Sequence, residues 1–135
     1  MTPEQVKMVQ ESWKQVEPIS EQAADLFYNK LFETDPYLRS LFLGDMKGQG
    51  AKLMKMIGIA VSGLTNLDAI IDAVADLGRR HVGYGIRDRD YDAVGECLLW
   101  TLGQGLGDAF TPQLKEAWGE TYVTLANVMK SAATE

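Results

Sequence analysis

The sequence predicts an all-α fold, and three observations carry that prediction. Apolar residues recur at spacings of three and four in six separate segments, the period of a half-buried helix. Cap-and-proline pairs stand at helix boundaries, at Thr2-Pro3, Asp35-Pro36 and Thr111-Pro112. Strict apolar–polar alternation never persists for more than a few residues, so no segment reads as a strand.

The first helix spans about 3 to 17. Thr2 can cap it, Pro3 suits its first position, and Gln5 can reach back to the cap as in a capping box. Val6, Val9, Trp13 and Val16 form its apolar stripe. Pro18 interrupts, and a second helix covers about 19 to 34 with Ala23, Phe27 and Leu31 inward, flanked by Ala24, Tyr28 and Phe32. Asp35-Pro36 ends it, because the residue before proline is disfavoured in the helical region. Tyr37, Leu38, Leu41 and Phe42 make a short apolar turn, and Gly44, Gly48 and Gly50 read as a loose connector. The third helix spans about 49 to 63 with Leu53, Met54, Ile57, Ala60 and Val61.

The fourth, about 67 to 83, is stopped by Gly83 and Gly85. The fifth covers about 91 to 106, with Tyr91, Val94, Leu98, Thr101 and Leu102. The sixth starts at Thr111-Pro112 and carries Leu114, Trp118, Tyr122, Leu125 and Met129. The irregular corner near 34 to 48 is unlike the short loops of a simple four-helix bundle.

Composition narrows function. At 135 residues the chain is long enough for one domain with a real core. Thirteen basic against nineteen acidic residues give a net charge of -6, which argues against nucleic-acid partners and against an anionic membrane surface. No apolar run reaches the roughly 18 residues of a membrane span, and the N-terminus has no signal pattern. Cys97 is the only cysteine, so no internal disulfide or thiolate metal cluster can form; it reads as a small buried hydrophobe, and a cytoplasmic location is expected.

His81 is the only histidine. With Ile70, Val74 and Leu77 it lies on one face of the fourth helix, at spacings of four, three and four. An imidazole there is either a hydrogen-bonded core residue or a ligand. No nucleophile-elbow or phosphate-loop motif is present. One His and one Cys supply a zinc site poorly, and no Glu-x-x-His pair suggests a di-iron bundle. A haem needs only one axial imidazole and a shaped apolar pocket.

Several segments in order carry a family resemblance. They are Asp25-Leu26-Phe27-Tyr28-Asn29-Lys30-Leu31-Phe32, Asp35-Pro36-Tyr37-Leu38-Arg39-Ser40-Leu41-Phe42, Gln49-Gly50-Ala51-Lys52-Leu53-Met54, His81-Val82-Gly83-Tyr84-Gly85-Ile86, Tyr91-Asp92-Ala93-Val94-Gly95 and Ala117-Trp118-Gly119-Glu120-Thr121-Tyr122. Through them the chain resembles the globins, specifically bacterial single-domain globins of the Vitreoscilla type and the globin part of flavohaemoglobins, over about residues 3 to 131. The resemblance implies a globin fold of six to eight helices around haem b. It makes His81 the proximal iron ligand through Nε2 and Phe42 the residue stacked on the porphyrin. Tyr28 and Gln49 would donate hydrogen bonds to partly anionic bound dioxygen. Leu53 would be the apolar distal neighbour, and Leu77, Ile86 and Val94 would pack on the ring. Tyr84 and Tyr91 would lie beside it, and Lys52 and Arg80 would meet its propionates.

The implied function is reversible binding of dioxygen, and of CO and NO, for oxygen transport or nitric oxide detoxification. A gas sensor and a haem-free regulatory module are the alternatives. The expected state is monomer or weak homodimer. The chain is too short to hold a reductase domain and has no dinucleotide fingerprint, so sustained turnover would require an external reductase. A single histidine rules out a bis-histidine haem within one chain. Flavohaemoglobins orient the proximal histidine with a Tyr and Glu pair. Tyr91 matches the tyrosine, but the glutamate's place falls at Ala133, two residues before Glu135, so the Nδ1–H of His81 should bond a backbone carbonyl instead.

Overall fold

Residues 1–42, 44–83 and 85–134 are described by a computed structural model. Six α-helices follow in order: α1 (Pro3–Val16), α2 (Ser20–Thr34), α3 (Met46–Ser62), α4 (Leu67–Gly83), α5 (Asp88–Leu106) and α6 (Pro112–Ala133). Short 3-10 segments at Glu17–Ile19, Pro36–Leu41, Gly63–Thr65 and Gly107–Ala109 make the corners. No strand occurs among the described residues.

The N-terminal caps are as expected. Thr2 accepts from the Gln5 backbone at 3.1 Å while the Gln5 side chain accepts from the Thr2 N–H at 2.9 Å. Thr111 accepts from the Leu114 N–H at 3.2 Å. Two starts differ from the sequence reading. α3 begins at Met46, because the Asp45 carboxylate accepts from the N–H groups of Lys47 and Gly48 at 3.1 and 3.2 Å. Gly48 and Gly50 are therefore helical rather than part of a connector. At Gly50 a Cβ would stand 2.9 Å from that of Ala24, so glycine lets α3 lie close on α2. α5 begins at Asp88 rather than near 91, because the Asp90 carboxylate accepts from the Arg87 N–H.

The main core joins α1, α2, α3, α5 and the first half of α6. Val9, Phe27, Leu31, Leu102, Ala117 and Trp118 are among its most buried members. Cys97, 2% exposed, belongs to it as expected. Trp118 donates its indole N–H to Ser12 Oγ at 2.9 Å, and Ser12 in turn donates to the Val9 carbonyl at 2.9 Å. Ser12→Ala leaves a buried indole donor unpaired. It should lower the unfolding free energy by about 1–3 kcal/mol in urea titrations, and an unchanged midpoint would refute the chain of bonds.

α4 stands apart from that core. It packs on the C-terminal half of α6, where Gly78 meets the backbone at Met129. Although α3 and α4 are joined by a single tight turn, they hardly pack on one another. Leu53 and Ile57 on α3 are half-buried and pack against the main core, and Leu77 on α4 is half-buried as well. Among the described residues, no helix is long and apolar enough to cross a membrane.

Candidate functional site

His81 sits in the last turn of α4, half-buried. Its Nδ1 lies 2.7 Å from the Leu77 carbonyl oxygen, which can only accept. The proton is therefore assigned to Nδ1 and the lone pair to Nε2. Burial pushes the imidazole pKa below its ordinary value. The Leu77 bond opposes this, the positive Arg80 adds to it, and the net shift is downward. A neutral imidazole with its lone pair on Nε2 is what an axial ligand requires.

The turn behind His81 is fixed by backbone geometry. Gly85 takes φ +84°, a left-handed conformation that suits glycine. Its N–H donates to the Val82 carbonyl at 3.0 Å, and the Ile86 N–H to the His81 carbonyl at 3.2 Å. The Tyr91 ring is inclined 27° to the imidazole, with centroids 6.4 Å apart. Tyr91 is held in turn by Tyr122, whose hydroxyl donates to the Tyr91 carbonyl. Gly95 makes room, since a Cβ there would meet the Tyr122 ring at 2.7 Å. Lys130 places its ammonium 5.3 Å from the Tyr91 ring centroid. Position 133 is alanine, as the sequence reading noted, while Tyr84 and Glu135 lie outside the described residues.

A second group of side chains gathers around Tyr28 on α2, 7% exposed. Its ring packs edge-on against Phe27 and Phe42, at 5.1 and 5.3 Å, and stacks on Phe32 at 5.8 Å. Phe32, on sequence grounds a core neighbour, closes the triangle with Phe42 at 5.4 Å. Burial raises the Tyr28 pKa, offset in part by the neighbouring Gln49 side chain in the first turn of α3. The hydroxyl therefore stays protonated and able to donate. Gln49 and, one turn on, Leu53 are both half-buried.

The corner after α2 joins the two groups. Leu41 packs near Gly85, where a Cβ would come within 3.7 Å. Arg87, next to Ile86, lays its guanidinium 4.4 Å over the Tyr37 ring, 3.7 Å from Asp35 and 2.8 Å from Asp90. Sequence reading missed this clamp, whose members are scattered polar residues without a periodic signal.

Asp90, 2% exposed, also accepts from the Arg87 backbone N–H at 2.8 Å, and this bond starts α5 at Asp88. Burial alone would push its carboxyl up, but the hydrogen bonds and charge of Arg87 outweigh that and hold it below the ordinary value. A depressed carboxyl stabilises the fold above its unfolded-state pKa and loses that contribution as pH falls through the folded value. Asp90→Asn should thus cost about 1.5–3 kcal/mol at neutral pH. The cost should shrink below about pH 4, and a cost that does not change with pH would refute the assignment.

Ile86 and Val94 are half-buried like Leu77, whereas Lys52 and Arg80 are exposed. Arg80 reaches Asp76 at 3.4 Å. Among the described residues no three His, Cys, Asp or Glu side chains gather to hold a bare metal ion. The arrangement offers one imidazole nitrogen, half-buried apolar walls, and a hydroxyl and an amide. Such a donor set fits a flat apolar group that brings its own equatorial metal ligands, and haem is such a group.

Comparison with known proteins adds an independent line. The family model described as Globin matches residues 25–129. A flavohemoprotein of Xylella fastidiosa (strain Temecula1) is 33% identical over 109 residues, which cover 78% of this chain and 27% of that protein. Neuroglobin of Danio rerio is 30% identical over 141 residues, covering 94% and 86%. A flavohemoprotein of Rhodopirellula baltica is 29% identical over 126 residues, covering 91% and 31%. The chain therefore spans between a quarter and a third of the length of these flavohemoproteins.

Proposed function

Because the chain belongs to the globin family, we propose that it holds a haem at His81 and binds dioxygen reversibly there, with carbon monoxide and nitric oxide as alternative ligands. Family membership supports haem-based gas binding in general. The observation that carries the reading to this site is the 2.7 Å contact between His81 Nδ1 and the Leu77 carbonyl, which orients the imidazole and directs its lone pair through Nε2. Bound there, haem b would supply a ferrous iron with one position open to a diatomic gas.

The rest follows from this chain's own side chains. Phe42, Leu53, Leu77, Ile86 and Val94 would exclude water. Tyr28 and Gln49 would donate hydrogen bonds to partly anionic dioxygen. The exposed Lys52 and Arg80 would face the propionates, and the Tyr91 ring would steady the imidazole; Tyr84 is assigned a place beside them from sequence alone. A carbonyl acceptor at Nδ1 makes the imidazole a weaker electron donor than a carboxylate partner would, which favours holding dioxygen over activating it.

A second reading is favoured by the relatives named as flavohemoproteins. Nitric oxide and dioxygen would combine to nitrate, and one electron per turnover would come from an external reductase. We place either activity in a single cytoplasmic globin domain, monomeric or weakly dimeric.

The test is the visible absorption spectrum of purified protein, reduced and then exposed to air, beside His81→Ala. A Soret band with reversible oxy bands, lost or weakened in the variant, is expected. No Soret band after haem is added would overturn the proposal and favour the haem-free regulatory module.

A further inference from the structure

A groove of about 790 Å³ runs between α1, α3 and the start of α4. It is separate from the site above. Ala51, Met54, Gly58 and Ser62 of α3 face it, and helical geometry turns these positions away from Gln49 and Leu53.

Trp13 forms part of its wall and is 3% exposed. The two buried indoles of the core differ. Trp118 gives its N–H to Ser12, whereas no acceptor among the described residues takes the N–H of Trp13. That N–H is not sealed inside the protein. Gly58 leaves it uncovered: a Cβ at position 58 would stand 3.2 Å from Trp13 Nε1. A donor in so buried a residue, left open only toward a groove, calls for an acceptor from outside. Its walls combine the apolar Met54, Ile59 and Ile70 with the uncharged Ser20, Ser62 and Asn66, and the charged residues that line it are one anion and one cation, Glu17 and Lys55. Opposed charges give no net field to attract an ion.

We propose that this groove binds an uncharged apolar molecule carrying one carbonyl oxygen, which accepts the Trp13 N–H while the apolar body covers Met54, Ile59 and Ile70. This assignment does not depend on haem.

The test uses ¹⁵N-labelled protein as purified, reduced under carbon monoxide, with indole N–H resonances followed by NMR. Trp13→Phe identifies the relevant cross-peak. The probe is 2-acetylnaphthalene, with naphthalene as the same body lacking the acceptor. The Trp13 cross-peak should move downfield and saturate with the ketone, and naphthalene should bind at least about fivefold more weakly. Gly58→Ala, which favours the helix but crowds the N–H, should abolish the downfield movement. Ile59→Asp, on the exposed rim, should weaken binding without touching the core. Equal affinities for the two probes, or an unchanged response in both variants, would overturn the proposal.

Discussion

Tyr28→Phe is expected to raise the dioxygen dissociation rate about tenfold or more, the kinetic equivalent of losing one hydrogen bond to a charged acceptor, roughly 1.5–3 kcal/mol. The substitution removes one oxygen atom and keeps the ring. Packing against Phe27, Phe32 and Phe42 should therefore survive, as should the spectrum of the deoxygenated protein. Carbon monoxide carries little negative charge when bound, so its off-rate should change far less, and this contrast separates a lost donor from a disturbed pocket. Gln49→Leu should act in the same direction, since Gln49 neighbours the Tyr28 side chain and presents its own amide. The two variants share one network, so their effects should not add. An unchanged dioxygen off-rate in Tyr28→Phe would remove Tyr28 from the distal role.

The second large effect is expected in stability. Gly78→Ala places a methyl group 2.3 Å from the Met129 carbonyl oxygen and 2.5 Å from its Cα. Both obstacles are backbone of the C-terminal part of α6 rather than the tip of a side chain, so neither can swing aside, and α4 must lift from α6. Overpacking of this kind costs about 1–3 kcal/mol and occasionally more, against about 1 kcal/mol regained from replacing glycine within a helix. A net loss of up to about 2 kcal/mol follows. Gly119→Ala is the control, because nothing lies within 4 Å of a Cβ there; it should gain about 0.5–1 kcal/mol. Urea midpoints measure both. Because α4 carries His81, Gly78→Ala should also hasten haem loss. Equal midpoints for the two variants would show that the helix crossing is slack.

The features legible in the sequence share one physical character: they act within a few residues. Thr2 with Gln5, and Thr111 with Leu114, close caps over a spacing of three. The Leu77–His81 bond spans one helical turn, a local partner of the backbone-carbonyl kind that the resemblance implied for Nδ1. Where reading failed, a distant partner decided. Gly48 and Gly50 looked like a connector because glycine disfavours helix; the local cap from Asp45 and the distant Ala24 methyl against Gly50 reverse that preference. Phe32 was legible as core but not as the ring on which Tyr28 stacks.

The sequence by itself therefore determined the all-α class, the order and approximate extent of six helices, and the one imidazole on which the proposed site rests. Tertiary structure alone decided the approach of α4 to α6 at Gly78, the clamp of Arg87 on Asp35 and Tyr37, and the Trp13 donor uncovered at Gly58. The division has a physical cause. Helical periodicity and capping repeat at fixed offsets along the chain, while interhelical approach depends on shapes that meet at no fixed sequence interval.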